Sequence, residues 1–518
     1  MNNIGFNKIV FFLFVLLSFQ ISIPVFSLSA DDYYLSVDGS DGNNGSIDSP
    51  WATFAYAMDH LTAGDTLIIK DGTYTEKLFV DISGTSGNPI TIKAENEGQV
   101  IMNGTNNSRP AHVYYANYIA LEGLIFTNSN SDVLSVYQSD NIDIKKCSAS
   151  NAGVGNYMVF LSFNSTNVTY EDCIAYGSGR TLFNILGCQN VTLRRCWGRW
   201  ESHSGGGGGN NCFVLYGSDD CIIENCVGTM DSTSGEDVDG INLWANSDFD
   251  SVDRNKICGN TMYGLSGWSY SVSSILHRIE GNRFYDNVSI NTANGFYQRA
   301  DADLQVRNLT IVDTNNIAFA LQEYSYEPKD SDYVINGDLR NSILQSGDKG
   351  LSVNSAKSPR LESFTNEYNN LYDFNTTYSA AATQGTGNIS VYTGWNTNKY
   401  GKGAYLFVPE ASEPATSGEN GARMGAEVLY CYHDGVLTNA PLWPWPMEDR
   451  ILAETGISVT WESRGGIWDD TTDFDTLYGT TDTTAPSINI TSPTSNSTYN
   501  TTRLLPRTER SHRRRPHL

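Results

Sequence analysis

The densest run of potential chemistry in the chain is Asp231 to Asp253, DSTSGEDVDGINLWANSDFDSVD. It holds Asp231, Glu236, Asp237, Asp239, Asp248, Asp250 and Asp253 within 23 positions. Carboxylates packed this closely repel one another unless water separates them or a cation bridges them, and an all-oxygen donor set suits calcium. The run therefore reads either as a Ca2+ site or as a solvated acidic loop. Basic residues follow it: Lys256, Arg278, Arg283 and Arg299. In Arg299-Ala-Asp301-Ala-Asp303, strand alternation would put all three charges on one face. That trio reads either as a reactive group or as a surface salt-bridge ladder. His203, near Arg199 and Glu201, is a lone loop histidine. Five consecutive glycines, Gly205 to Gly209, lack the following Gly-Lys-Ser/Thr of a phosphate loop and read as a mobile loop.

The elements that must position these residues are written as a repeat. GCQNVTLRRCWG returns about thirty residues later as GSDDCIIENCVG. Each copy has a turn, a short alternating strand, a polar pair, then cysteine, one apolar residue and glycine. A strand-plus-turn unit with this period and no helical pattern predicts a β-solenoid. Cys147, Cys173, Cys196, Cys226 and Cys258 keep the same beat, and with no CxxC pair they read as a column of small buried hydrophobes. Strands are expected at Ile90–Lys93, Ile119–Phe126, Ile142–Lys146, Val168–Glu171, Val191–Arg194, Ile222–Glu224, Ile279–Phe284, Val306–Val312 and Asn341–Leu344. Asn141, Asn167, Asn190 and Asn316 sit ahead of strands, where asparagine tolerates the left-handed backbone of a tight corner.

Upstream, Ser49 is placed to cap a helix with Pro50 at its first position. Trp51, Phe54, Ala55, Met58 and Leu61 then form one apolar face, as a terminal cap over the first coil requires. The order DGSD…GS…SPWATF…AMDHL…AGDTLIIKDGTY, followed by Gly87-Asn-Pro-Ile-Thr-Ile-Lys93, resembles the N-terminal coil of secreted right-handed parallel β-helix proteins of the pectate-lyase-like superfamily. The resemblance covers about sixty residues of cap and first coil. It implies an all-β, right-handed parallel β-helix and an acidic polysaccharide as partner. It further implies a calcium-assisted lyase that removes the proton next to a uronate carboxylate, with a basic residue as base. Arg299, Lys256 and Arg278 are the candidates. Asp237-Val-Asp239-Gly240 and Asn246-Ser-Asp248-Phe-Asp250 resemble the acidic segments of calcium-dependent relatives, which implies Asp237, Asp239, Asp248 and Asp250 as the Ca2+ ligands, though the two segments lie closer together than one full coil. A non-catalytic glycan-binding or cell-surface β-helix is the alternative. A glycoside hydrolase is third: Ser218-Asp219-Asp220-Cys221 resembles a polygalacturonase segment, but no Gly-His-Gly follows.

Bulk properties agree. The chain has 518 residues, 47 of them glycine, and a net charge of −25, which argues against nucleic acid and anionic membranes as partners. Residues 1–30 read as a signal peptide: Lys8, the apolar run Ile9–Leu17, then small residues at Ser27, Ser29 and Ala30. A secreted or cell-surface monomer is expected, with no later membrane span. The helix and its cap take residues 31–390. Residues 391–480 hold Trp395, Trp443, Trp445, Trp461 and Trp468, half of the ten tryptophans, and are expected to cap the last coil. From 481 onward, APSINITSPTSNSTYNT resembles the first strand of a bacterial Ig-like module, and an arginine-rich end reads as a truncated, disordered tail.

Overall fold

The computed structural model describes residues 30–478, apart from 204–208, 275, 323–332 and 355–359. The expected signal peptide over 1–30, except Ala30, the glycine loop, except Gly209, and the tail from 481 onward fall outside the described residues. The chain divides into two compact units, Met1–Thr472 and Asp473–Leu518. Of the second, only residues 473–478 are described, where Asp473 caps the helical turn Phe474–Leu477.

The first unit is a right-handed parallel β-helix of about eleven turns. One face is a 13-stranded parallel sheet from Asp32–Leu35 to Leu361–Glu367. The other two faces form a 21-stranded sheet. They join because the twelve-residue strand Thr310–Leu321 pairs with both Val288–Ile290 and Asn294–Gln298. Every coil therefore visits a first face, a second and a third. The third face carries, rung on rung, Met158–Phe163, Thr181–Leu186, Asn210–Tyr216, Val238–Ala245, Trp268–Ser274 and Asn294–Gln298. Alternate side chains fill the tube with aliphatics and stacked rings: Phe160, Phe183 and Phe213 lie 4.9 and 5.1 Å apart, nearly parallel.

Corners explain the polar pattern. Asn141, Asn167 and Asn190 have φ of 57, 51 and 56°, as a left-handed corner requires. Asn316 differs, lying within Thr310–Leu321. Two expected strands are each broken by such a corner, at Gly123 and at Asn308. The strand expected over Ile279–Phe284 instead starts at Arg283, because residues 276–282 form the corner before it.

Four of the five cysteines stack as expected. The thiols of Cys147, Cys173, Cys196 and Cys226 each donate to a carbonyl on the preceding coil, from Leu121, Ile144, Tyr170 and Leu193. Burial pushes the thiols of Cys147, Cys173 and Cys196 up, so they stay neutral. Cys258 leaves the column: it pairs in register with Glu224, two residues before Cys226. Asn260 takes its place, accepting the Cys226 N–H at 2.8 Å, and Asn287 accepts the Asn260 N–H at 3.1 Å. The column thus changes from thiol to amide midway along the tube.

The cap helix runs over Phe54–His60, four residues later than Pro50 suggested, with Thr53 as its N-cap. Trp51 is drawn instead into a bridge with Leu35 and stacks on Tyr33 at 4.6 Å. The Glu76 carboxylate accepts the first helical N–H groups, of Phe54 and Ala55, at 2.9 and 3.0 Å.

The aromatic-rich C-terminal region packs along the flank of the tube rather than over its last coil. Glu419 meets Asn341, Arg423 and Tyr432 meet Asp286, Asp434 meets Arg194, and Arg450 reaches Ser148 and Leu124. From Glu419 to Arg450 the segment engages successively earlier coils, and it then turns back, with the Tyr263 hydroxyl donating to the Gly465 carbonyl at 3.1 Å. The last coil is closed by residues 381–393, where Ile389 bridges to Asn370.

Candidate functional site

The third face carries a groove of about 550 Å3 whose lining includes Arg180, Asn184, Asn211, Tyr216, Asp239, Asn242, Trp244 and Arg299. Register explains the assembly. Asn211 pairs with Asp239, Val214 with Asn242 and Tyr216 with Trp244, so outward side chains fall into straight rows across successive rungs. Arg299 leaves the end of strand Asn294–Gln298, two coils beyond Asp239, with its guanidinium 3.9 Å over the Tyr297 ring. Tyr297 in turn stacks on Trp268 at 4.4 Å. The Trp268 N–H donates to Asp239 Oδ1 at 2.7 Å, fixing that carboxylate's orientation.

Electrostatics single out Asp239. Desolvation at the groove floor pushes its carboxyl up to about 7, with the neighbouring Asp237 charge adding to the rise and the Trp268 N–H and Arg299 opposing it. A carboxyl poised there exchanges protons near neutral pH. Two guanidinium groups, Arg180 and Arg299, line the same groove and offer forked donors suited to carboxylates. The buried Asn184 Oδ1 and Asn242 Oδ1, on two residues lining the groove, have no hydrogen-bond partner among the described residues.

Of the expected site residues, the structure brings Arg299 and Asp239 to one groove. Asp237 and Asp239 flank Gly267. Asp248 and Asp250 lie past the far end of strand Val238–Ala245, more than about 20 Å along the chain from Asp239 at ~3.3 Å per residue. Asn246 Oδ1 accepts the N–H groups of Asp248 and Phe249 there, making a tight corner turn. Among the described residues no three His, Cys, Asp or Glu side chains gather into a metal-holding group. The four aspartates thus do not fit a common Ca2+ ion, since the strand between them separates the halves, and two carboxylates fall well short of the six to eight oxygens calcium takes.

The other candidates lie elsewhere. Lys256 is on the first face, beside Gly435 of the flank segment. Arg278 pairs with Glu280 at 2.8 Å at a corner. The Arg299–Asp303 alternation fails because the chain turns there. Asp301, with φ of 87°, is buried and accepts from Asn282 Nδ2 at 2.7 Å, while Asp303 is exposed and pairs with Arg283. Asp219 and Asp220 are structural, accepting the Asp253 N–H and the Arg254 guanidinium. His203 Nε2 lies 3.0 Å from the Gly155 carbonyl. Sequence reading missed Arg180, Asn184, Asn211, Tyr216 and Trp244. Counting outward positions from each corner would have aligned them.

Comparison with known proteins agrees with this architecture. Residues 33–181 match the family model described as Pel9A-like, right handed beta helix region. The chain is 38% identical over 102 residues to the uncharacterized protein YwoF of Bacillus subtilis, covering 18% of this chain and 22% of that protein. It is 40% identical over 77 residues to pectate lyase PEL9 of Emericella nidulans, covering 14% and 19%. The chain thus spans about a fifth of the length of these curated relatives. The crystal structure of pectate lyase Pel9A aligns over 77% of this chain and 96% of its own, at 14% identity and a TM-score of 0.44. The matched N-terminal region is thus similar to a Pel9A-like right-handed β-helix region, and the coils and corner columns continue that parallel β-helix beyond it.

Proposed function

We propose that this protein is an exported lyase that cleaves a uronate-containing polysaccharide by β-elimination in the third-face groove. The observation that carries this reading is the meeting of Asp239, its carboxyl raised to about 7, with Arg299 and Arg180 in one groove. A guanidinium stays charged in proteins, so Arg299 serves as a clamp for the substrate carboxylate rather than as the base. Neutralising that carboxylate acidifies the adjacent C5–H. The Asp239 carboxylate takes this proton, the C5–H electron pair forms the C4–C5 double bond, and the C4–O bond breaks. The leaving oxygen gains a proton from solvent. In this reading Tyr216 and Trp244, which line the groove with Asn184 and Asn242, stack on the sugar rings.

The test is incubation with polygalacturonate and with alginate, following the ultraviolet absorbance of the unsaturated uronate end. Wild type is expected to generate it, and Asp239→Asn and Arg299→Ala to lose at least about a hundredfold of the rate. Polymer binding without product would favour a non-catalytic glycan-binding role. New reducing ends without that absorbance would indicate hydrolysis. Activity abolished by EDTA and restored by calcium would overturn the role given to Asp239.

A further inference from the structure

The groove has an approach. Tyr114, Tyr137, Phe163, Leu186, Tyr216 and Trp244 occupy one register row on six successive coils of the third face. All six side chains point outward and are partly exposed. Tyr114 lies 5.8 Å from Tyr137, and Tyr137 stacks on Phe163 at 4.5 Å. The one aliphatic position, Leu186, is bridged from outside: Phe249 lies 6.4 Å from Phe163 and 5.4 Å from Tyr216. Phe249 rests where Gly187 and Gly217 leave room, since a Cβ at either would strike its ring or Cβ. The result is an aromatic rail across the strands, about 24 Å long at ~4.8 Å per rung, ending in the groove.

The outer face of a solenoid needs no aromatic ladder for its core. A continuous partly exposed row, rimmed by polar side chains, marks a ligand surface. Its π-faces suit the C–H faces of sugar rings, whose slightly positive hydrogens meet the negative ring face. A second observation points the same way. Asn184, one outward position from Leu186, lines the groove at 5% exposure, and its buried Oδ1 has no partner among the described residues.

We propose that the row from Tyr114 to Trp244 is a set of sugar-stacking subsites that seats several units of an extended polysaccharide, laid along the tube axis, on the N-terminal side of the groove. This deepens the lyase reading and rests on it for the reaction. It assigns long polymers, cut internally, as the substrate rather than short oligosaccharides trimmed from an end. The rail also gives the acidic segment a role other than calcium binding, because the turn at Asn246–Asp250 sets Phe249 into the row.

Binding separates the rail from the chemistry. Wild type, Tyr137→Ser and Phe249→Ala are run in native gels containing polygalacturonate or alginate, with circular dichroism and thermal unfolding as checks on folding. Wild type is expected to be retarded by at least one polymer, and each variant to need about tenfold more polymer for the same retardation. Equal retardation of wild type and folded Phe249→Ala, whose ring lies on a surface turn, overturns the rail. So does the absence of retardation of wild type by either polymer. Retardation lost in the variants while wild type makes no unsaturated product leaves the rail standing and removes the lyase. Product formation with unchanged variant binding does the reverse.

Discussion

Replacing Glu224 by alanine should unlatch the C-terminal segment from the flank of the tube. The Glu224 carboxylate has no exposed surface and accepts from Arg194 Nε at 2.6 Å, the Asp434 N–H at 3.1 Å and the Gly435 N–H at 2.8 Å. Removing one partner of a buried ion pair costs about 3–5 kcal/mol, because the other charge stays buried. Arg194 keeps Asp434 at 2.5 Å, and water can reach the freed N–H groups, so the lower end, about 3 kcal/mol, applies. At about 1.4 kcal/mol per decade, local opening should rise roughly a hundredfold. Native-state hydrogen exchange reads this directly. Amides of the hairpin strands Tyr430–His433 and Val436–Pro441 should lose about two decades of protection, while those of Val168–Glu171 in the coil interior hold theirs. Glu419→Gln is the control: its pair with Arg340 is partly exposed on both sides and should cost about 1 kcal/mol or less. Protection at 430–441 within threefold of wild type in Glu224→Ala, or an equal loss throughout the coils, would refute the latch.

Two further predictions concern single corners. Burial pushes the Asp301 carboxyl up to about 7, against about 3.9 when unfolded, so between pH 4 and 7 the folded state holds a proton that the unfolded state has lost. Stability should therefore fall as pH rises through that window and level off above 7. Asp301→Asn, whatever its offset, should flatten the slope in thermal unfolding at pH 4.5 and 7; parallel slopes would show that Asp301 does not titrate there. Gly217→Ala should destabilise by about 2 kcal/mol and displace Phe249. The same corner holds Gln138 and Asn164 at φ of 47 and 45° in other coils, so the glycine is required by the Phe249 contact, and a Gly217→Ala, Phe249→Ala double variant should recover most of the loss.

The coils were legible because their corners repeat. Asparagine at a left-handed turn and cysteine at a buried one recur every coil, and both carry local chemistry that a sequence displays. The exit of Cys258 from its column was not legible, because a shift of two residues within a strand leaves its spacing from Cys226 plausible. The groove was half legible. Asp239 and Arg299 are sixty positions apart, and only the register of the intervening coil brings them to one face. Asp248 and Asp250 misled for the opposite reason: they are close in sequence, yet the eight-residue strand Val238–Ala245 carries them to another edge. The flank segment was misplaced because aromatic content records that a surface is covered and not which one.

The returning flank segment acts as a measuring tape for the solenoid. Its fastenings at Asn341, Asp286, Asn225 and Ser148 are spaced to match particular rungs. Gain or loss of one coil between residues 148 and 341 would put every later fastening out of step by a rung. Such repeats usually tolerate duplication of their units; here the tape holds the number of rungs constant, and with it the length of the surface on which a polymer can lie.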